Sequence, residues 1–145
     1  DRRQRQMCIR DSSDYDCVFM GFWVDKGTAD DASRKVLENL HNRHVAVFAT
    51  AGVNPASSHA QDCLKNGASL LPEGKKPAGT FICPGKVDPQ LIEAMYKRFP
   101  ADNPHGRNPE SEARHEEAST HPDAADLENA AAFARNVMNF IQAEK

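Results

Sequence analysis

Three short runs rich in β-branched and aromatic residues, each followed by a longer amphipathic stretch with its own start signal, dictate a layered α/β fold. The first run, Cys17-Val18-Phe19-Met20-Gly21-Phe22, has no polar alternation and suits a parallel strand covered on both faces, ending near Trp23. Thr28-Ala29-Asp30-Asp31 then has the form of a capping box, and Ala32, Val36, Leu37 and Leu40 recur at helical spacing, which predicts a helix over 29–41. The second strand covers 44–50. A turn at Ala51-Gly52-Val53-Asn54-Pro55 follows, then a short helix capped by Ser57 or Ser58 and closed by Gly67. The third strand, 79–83, leads through Pro84-Gly85-Lys86 to Asp88-Pro89, an N-cap and first-turn pair for a helix carrying Leu91, Ile92, Met95 and Phe99.

This β-α-β-α-β-α order favours right-handed crossovers and a twisted parallel sheet flanked by helices. Residues 100–109, with three Pro and one Gly, read as an irregular surface excursion. Asn108-Pro109 starts a short polar helix reaching Ser119, and Pro122-Asp123 opens a last helix. Its stripe of Leu127, Ala130, Ala131, Ala134, Val137, Met138 and Ile141 is expected to pack on the sheet.

Length and charge narrow the function. At 145 residues one domain is expected, and the net charge of −3 is too balanced for the counterion release that drives nucleic-acid binding. No apolar run approaches the ~20 residues of a membrane span, so no membrane partner is expected and the protein reads as cytoplasmic. Cysteines 8, 17, 63 and 83 lack metal-finger or CxxC spacing and read as reduced and structural. The histidines lack HExxH spacing, and Ser57 and Ser58 stand outside any G-x-S-x-G elbow, which leaves them as helix caps. Cys83, at a strand end, reads equally as core or as a nucleophile.

Residues 1–13 form a unit apart from the domain at 14–145. Their DRRQRQMCIRDS tract is basic and aperiodic, the composition of a disordered arm, and it looks like a translated sequencing adaptor, hence a scar. The competing reading is a tail that binds an acidic partner.

In open parallel sheets the ligand site lies beyond the carboxyl ends of the strands. Three loops qualify: residues 22–28, 50–54 and 84–88. Trp23, the one tryptophan, stands at a strand end, where it serves a planar ligand or covers the sheet edge. Asp25 and Lys26 allow a site role or an ordinary solvated pair.

Taken in order, Tyr15-Asp16, Gly21-Phe22-Trp23-Val24-Asp25-Lys26-Gly27-Thr28, Phe48-Ala49-Thr50-Ala51-Gly52, the segment from Gly79 to Asp88, and His121-Pro122-Asp123 resemble the flavodoxin family. The likeness is greatest to a branch with a GFWxDKG loop and spans residues 14–141. It implies a three-layer α/β fold with a 2-1-3-4-5 sheet, of which this chain carries the last three strands, with FMN at the switch point that the general rule for this fold describes. It also implies an FMN site whose ring half is formed by Phe22, Trp23, Val24, Asp25, Lys26, Gly27, Thr50, Ala51 and Gly52. The family's phosphate-binding loop has no counterpart here, so FMN is expected to bind poorly. The implied function is that of an electron carrier, rather than a catalyst, serving a partner reductase, with a tetrapyrrole reductase acting on bilirubin as the partner class. A flavin-free interaction module is the alternative. Without neighbouring strands, the uncharged edge at 17–22 is expected to promote self-association.

Overall fold

The computed structural model describes residues 14–144, and the basic tract at 1–13 lies outside them. The elements are β1 Cys17–Asp25, β2 Thr28–Ala29, α1 Asp31–Leu37, β3 His44–Ala51, α2 Ser58–Ala68, β4 Gly79–Pro84, α3 Pro89–Arg98, α4 Pro109–Ala118 and α5 Ala124–Ala143. The sheet runs β2-β1-β3-β4, with β1, β3 and β4 parallel and β2 antiparallel to β1. These three parallel strands are the expected ones, and the α/β class stands.

The register divides the sheet into two faces. Val18, Met20 and Phe22 lie level with Val45, Val47 and Ala49. This face carries the main core, closed by Leu37 of α1 and by Ala60 and Leu64 of α2. The opposite face carries Phe19 and Gly21 beside Ala46 and Phe48, and then Gly79 and Phe81. Among the described residues α5 alone covers it, through Phe133, Val137 and Ile141, and the Phe133 ring stacks on Phe81 at 5.5 Å and meets Phe19 edge-on at 5.9 Å. Helix α5 thus covers one half of this face, and Phe48 and Trp23 on the other half stay exposed.

Four local expectations need correction. The helix expected over 29–41 is α1, Asp31–Leu37, and Asp30 rather than Thr28 caps it by accepting the Ser33 N–H at 3.1 Å. The reason is a turn: Lys26 and Gly27 both hold positive φ (51° and 81°), which makes a two-residue hairpin and turns Thr28 and Ala29 back along β1 as a strand. Strand β1 accordingly runs past Trp23 to Asp25. Gly67 lies in the last turn of α2, which runs one residue further to Ala68 with Ser69 as its cap, and it takes no left-handed conformation; it lets the Phe22 ring lie against the helix backbone. In α5, Leu127 and Met138 face solvent, because contact with the sheet is confined to the Phe133, Val137 and Ile141 side.

The other start signals appear as expected. Ser57, not Ser58, caps α2; Asp88 caps α3 ahead of Pro89; Asn108 and Asp123 open α4 and α5 with reciprocal capping boxes. Residues 100–108 are irregular, tied together by the Asn108 amide donating to the carbonyls of Ala101, Asn103 and Gly106, and by the buried Ser111 hydroxyl donating to Gly106 at 2.7 Å. No helix among the described residues is long and apolar enough to cross a membrane.

Candidate functional site

The carboxyl ends of β1 and β3 bring the nine candidate residues into one region. Trp23 lies level with Thr50 on the same face, and it is 55% exposed. Its backbone is fixed on the outer side by Asp30, whose N–H donates to the Trp23 carbonyl at 3.3 Å and whose carboxylate accepts the Trp23 N–H at 3.4 Å. Asp30 therefore both starts α1 and holds Trp23, and at 5% exposure it is one of the few buried charged residues described. Sequence reading put the cap at Thr28 and missed it, although an acidic residue directly ahead of a helical pattern was the available signal.

Val24 and Asp25 pair with β2, and the Lys26–Gly27 turn projects from the sheet end. The Asn66 side chain of α2 donates to the Gly27 carbonyl at 2.9 Å, fixing the turn from a helix 39 residues away in sequence. Nothing in the sequence marks that contact. Phe22 differs from its neighbours: its side chain turns to the opposite face and is buried against Gly67, so it presents only backbone to the loop end.

On the second strand, Thr50 and Ala51 pair with Cys83 and Pro84. The Gly85 N–H donates to the Ala51 carbonyl at 2.9 Å, and the Val87 side chain fills the space that a Cβ on Gly52 would need. The third loop is thereby clamped against the second. Burial raises the Cys83 thiol above its ordinary value, and the Asp126 and Asp123 carboxylates add to the rise, the reverse of what activates a thiolate nucleophile. Core is the reading the structure favours for Cys83. Cys17 and Cys63 are likewise free, and burial raises both.

The third loop is anchored at the start of α5. Lys86 N–H donates to the His121 carbonyl at 3.1 Å, and His121 Nδ1 lies 2.5 Å from Asp126 Oδ2 and 3.6 Å from Asp123 Oδ2. The hydrogen bond to Asp126 raises the His121 imidazole above 6.5 and, with burial opposing, the Asp123, Asp126 and Glu117 charges raise it further; the same bond lowers the Asp126 carboxyl below 3.8. These three side chains are grouped closely enough to hold a metal ion, but both carboxylates already accept backbone N–H groups in the capping box. Helix capping accounts for the cluster.

The sign of the resulting pH dependence follows from linkage. The raised His121 stabilises the fold below its unfolded value of 6.5, and that contribution disappears as pH rises through its higher folded value. The lowered Asp126 contributes above 3.8 and is lost as pH falls through its folded value. Thermal melts should therefore peak between these limits and decline as pH rises above 6.5, and His121→Gln should flatten that decline; an unchanged slope in the variant would show that the pair is not responsible.

An open, mainly parallel sheet flanked by helices, with its loops gathered beyond the carboxyl ends of β1, β3 and β4, defines the doubly wound α/β class. The chain belongs to the flavodoxin-like family: the model of the flavodoxin domain family matches residues 3–135. Two relatives agree. A flavodoxin-like domain-containing protein BilS of Clostridioides difficile is 39% identical over 131 residues, 88% of this chain and 73% of the relative. Its namesake in Clostridium symbiosum is 28% identical over 131 residues, 87% of this chain and 67% of the relative.

Proposed function

We propose that this chain is a flavodoxin-like electron-transfer protein that takes the ring of FMN over the ends of β1 and β3 and serves a partner reductase. The observation that carries this reading is the exposed Trp23 indole beside Thr50, between the positive-φ Gly27 turn and a second loop in which Gly52 leaves no room for a side chain. Trp23 offers a face for stacking, and the Asp30 bonds hold its backbone in place. Val24, Asp25, Lys26 and Gly27 line one edge, where the hairpin turn and the Asn66 bond keep the backbone in a single conformation. Thr50, Ala51 and Gly52 line the other, tied to the third loop. When bound, the flavin supplies the electron storage; the protein orients the ring and sets the polarity around it.

Among the described residues the phosphate finds no comparable seat. Its dianion needs a nest of N–H groups or an open helix N-terminus, and among the described residues the starts of α2, α3, α4 and α5 are each closed by a capping side chain. Affinity therefore resides in the ring. We extend the proposal to the partner, taken as a tetrapyrrole reductase on the strength of the GFWxDKG resemblance.

Titration of the chain with lumiflavin, which has the ring alone, and with FMN tests this. Both should quench Trp23 fluorescence, with dissociation constants within about threefold of one another because the phosphate adds little. Trp23→Ala should weaken lumiflavin binding, followed by flavin absorbance, by roughly tenfold, the loss of one aromatic stacking contact. Absence of binding by either ligand would favour the flavin-free interaction module.

A further inference from the structure

Helices α3 and α4, with the irregular loop between them, form a hairpin held outside both hydrophobic cores. Among the described residues neither core contains a member of 89–118, and α3 buries none of its side chains fully. The hairpin is rooted at the third loop, where the Lys86 N–H donates to the His121 carbonyl, and its own loop is tied by Asn108 and Ser111. Contact between the two helices is thin. The Tyr96 ring of α3 meets the His115 imidazole of α4 edge-on at 5.8 Å, and the Ser111 hydroxyl lies 3.5 Å from the Tyr96 hydroxyl.

His115 is poorly placed to carry charge. Its Nδ1 is buried without a hydrogen-bond partner, the one buried side-chain nitrogen or oxygen so left among the described residues. A neutral imidazole tolerates this, because one of its nitrogens bears no proton, whereas the charged ring has an N–H at both and would bury one of them unanswered. The surrounding groups offer no compensation. Tyr96 faces it from α3, Arg107 of the loop lies over the Tyr96 ring at 5.1 Å with Glu112 of α4 already 3.6 Å from that guanidinium, and Arg114 precedes it on α4. Burial, with the Arg114 charge adding to it, accordingly lowers the His115 imidazole below 6.5.

We propose that the α3–α4 hairpin is an acid-opened flap, in which a proton on His115 parts α3 from α4 while the root at the third loop stays closed. This goes beyond the flavin reading and does not depend on it. In the closed hairpin the added N–H has no acceptor, and in the open one water supplies it, so acid favours the open form. The closing contribution of His115 is therefore complete above 6.5 and is lost as pH falls through its lowered folded value. Opening stays local because neither core contains any part of 89–118, and because the root joins two backbone groups that do not titrate. The helices themselves survive it, since Asp88 and Asn108 cap their starts independently of the contact between them. What opens is the side of α3 that carries Tyr96, directly after the loop whose Val87 packs on Gly52.

NMR of the labelled full chain between about pH 8 and about pH 5, the range over which an imidazole changes charge, tests this. The His115 ring and the amides of Tyr96, Ser111 and His115 should shift with one common midpoint below 6.5. Hydrogen exchange, compared between chains at equal pH, then reads the opening itself. At about pH 5 the α3 amides of the native chain should exchange at least about threefold faster than those of His115→Phe, which keeps a ring against Tyr96 and takes up no proton. At about pH 8 the two chains should match, and the β1, β3 and β4 amides should keep their protection throughout. If His115→Phe fails to fold, the common midpoint in the native chain decides. A His115 titration that leaves the α3 amides unmoved, the same acid response in His115→Phe, or loosening spread equally through the sheet would overturn the proposal.

Discussion

Gly67→Val should destabilise the fold by about 2–4 kcal/mol, combining overpacking with displacement of a core ring. A Cβ at position 67 would sit 2.3 Å from Phe22 Cζ, and Phe22 is buried between α2 and the sheet with no open direction in which to move. In a free helix the change would help, because valine has a better helix propensity than glycine. The fold reverses that preference because the close approach of α2 to β1 depends on the missing side chain. Phe22→Leu vacates the collision, so the double variant Gly67→Val/Phe22→Leu should lose less than the sum of the two single changes when urea unfolding is measured. Additive losses would mean that the two residues do not press on each other.

The second large effect is expected at Leu37. It is fully buried, it lies in the last turn of a helix of only 7 residues, and it closes the core over Val18, Val45 and Val47. A helix this short has little stability of its own and is held by tertiary packing. Leu37→Ala should cost about 2–5 kcal/mol and lower the melting midpoint by roughly 10 °C. Because α1 begins at the residue that anchors Trp23, loss of the helix should also release Asp30 and shift the Trp23 emission before global unfolding. Coincident transitions would separate the helix from the site.

These two positions also mark what the sequence made legible. Leu37 was visible because its apolar spacing with Val36 and Leu40 is periodic. The parallel strands were visible for a similar reason: 17–22, 44–50 and 79–83 are continuous apolar runs that only a sheet covered on both faces accommodates. Gly67 was misread as a helix end because glycine signals either a terminus or a close contact, and only the partner ring, 45 positions upstream at Phe22, distinguishes them. The Lys26–Gly27 hairpin was hidden by lysine, a side chain that seldom takes positive φ and gives no warning of a tight turn.

The site divides the same way. Its loops were found from their position after strands, and Trp23 from its place at a strand end. The contacts that hold them, Asp30 to Trp23, Asn66 to Gly27 and Val87 over Gly52, join segments whose proximity exists only once the sheet has formed. Leu127 and Met138 carry the opposite lesson: Leu127 lies a turn and more ahead of the first residue that meets the sheet, and Met138, though between the buried Val137 and Ile141, is turned off the narrow side of α5 that makes contact.

The central claim is that the ends of β1 and β3 form one seat for a flavin ring. Amide NMR of the labelled chain during lumiflavin titration reads this residue by residue. The account predicts shifts concentrated at Trp23, Val24, Asp25, Lys26, Gly27, Thr50, Ala51 and Gly52, moving together with a single dissociation constant. Shifts centred elsewhere, on the α3 and α4 surface for example, or none at saturating ligand, would contradict it.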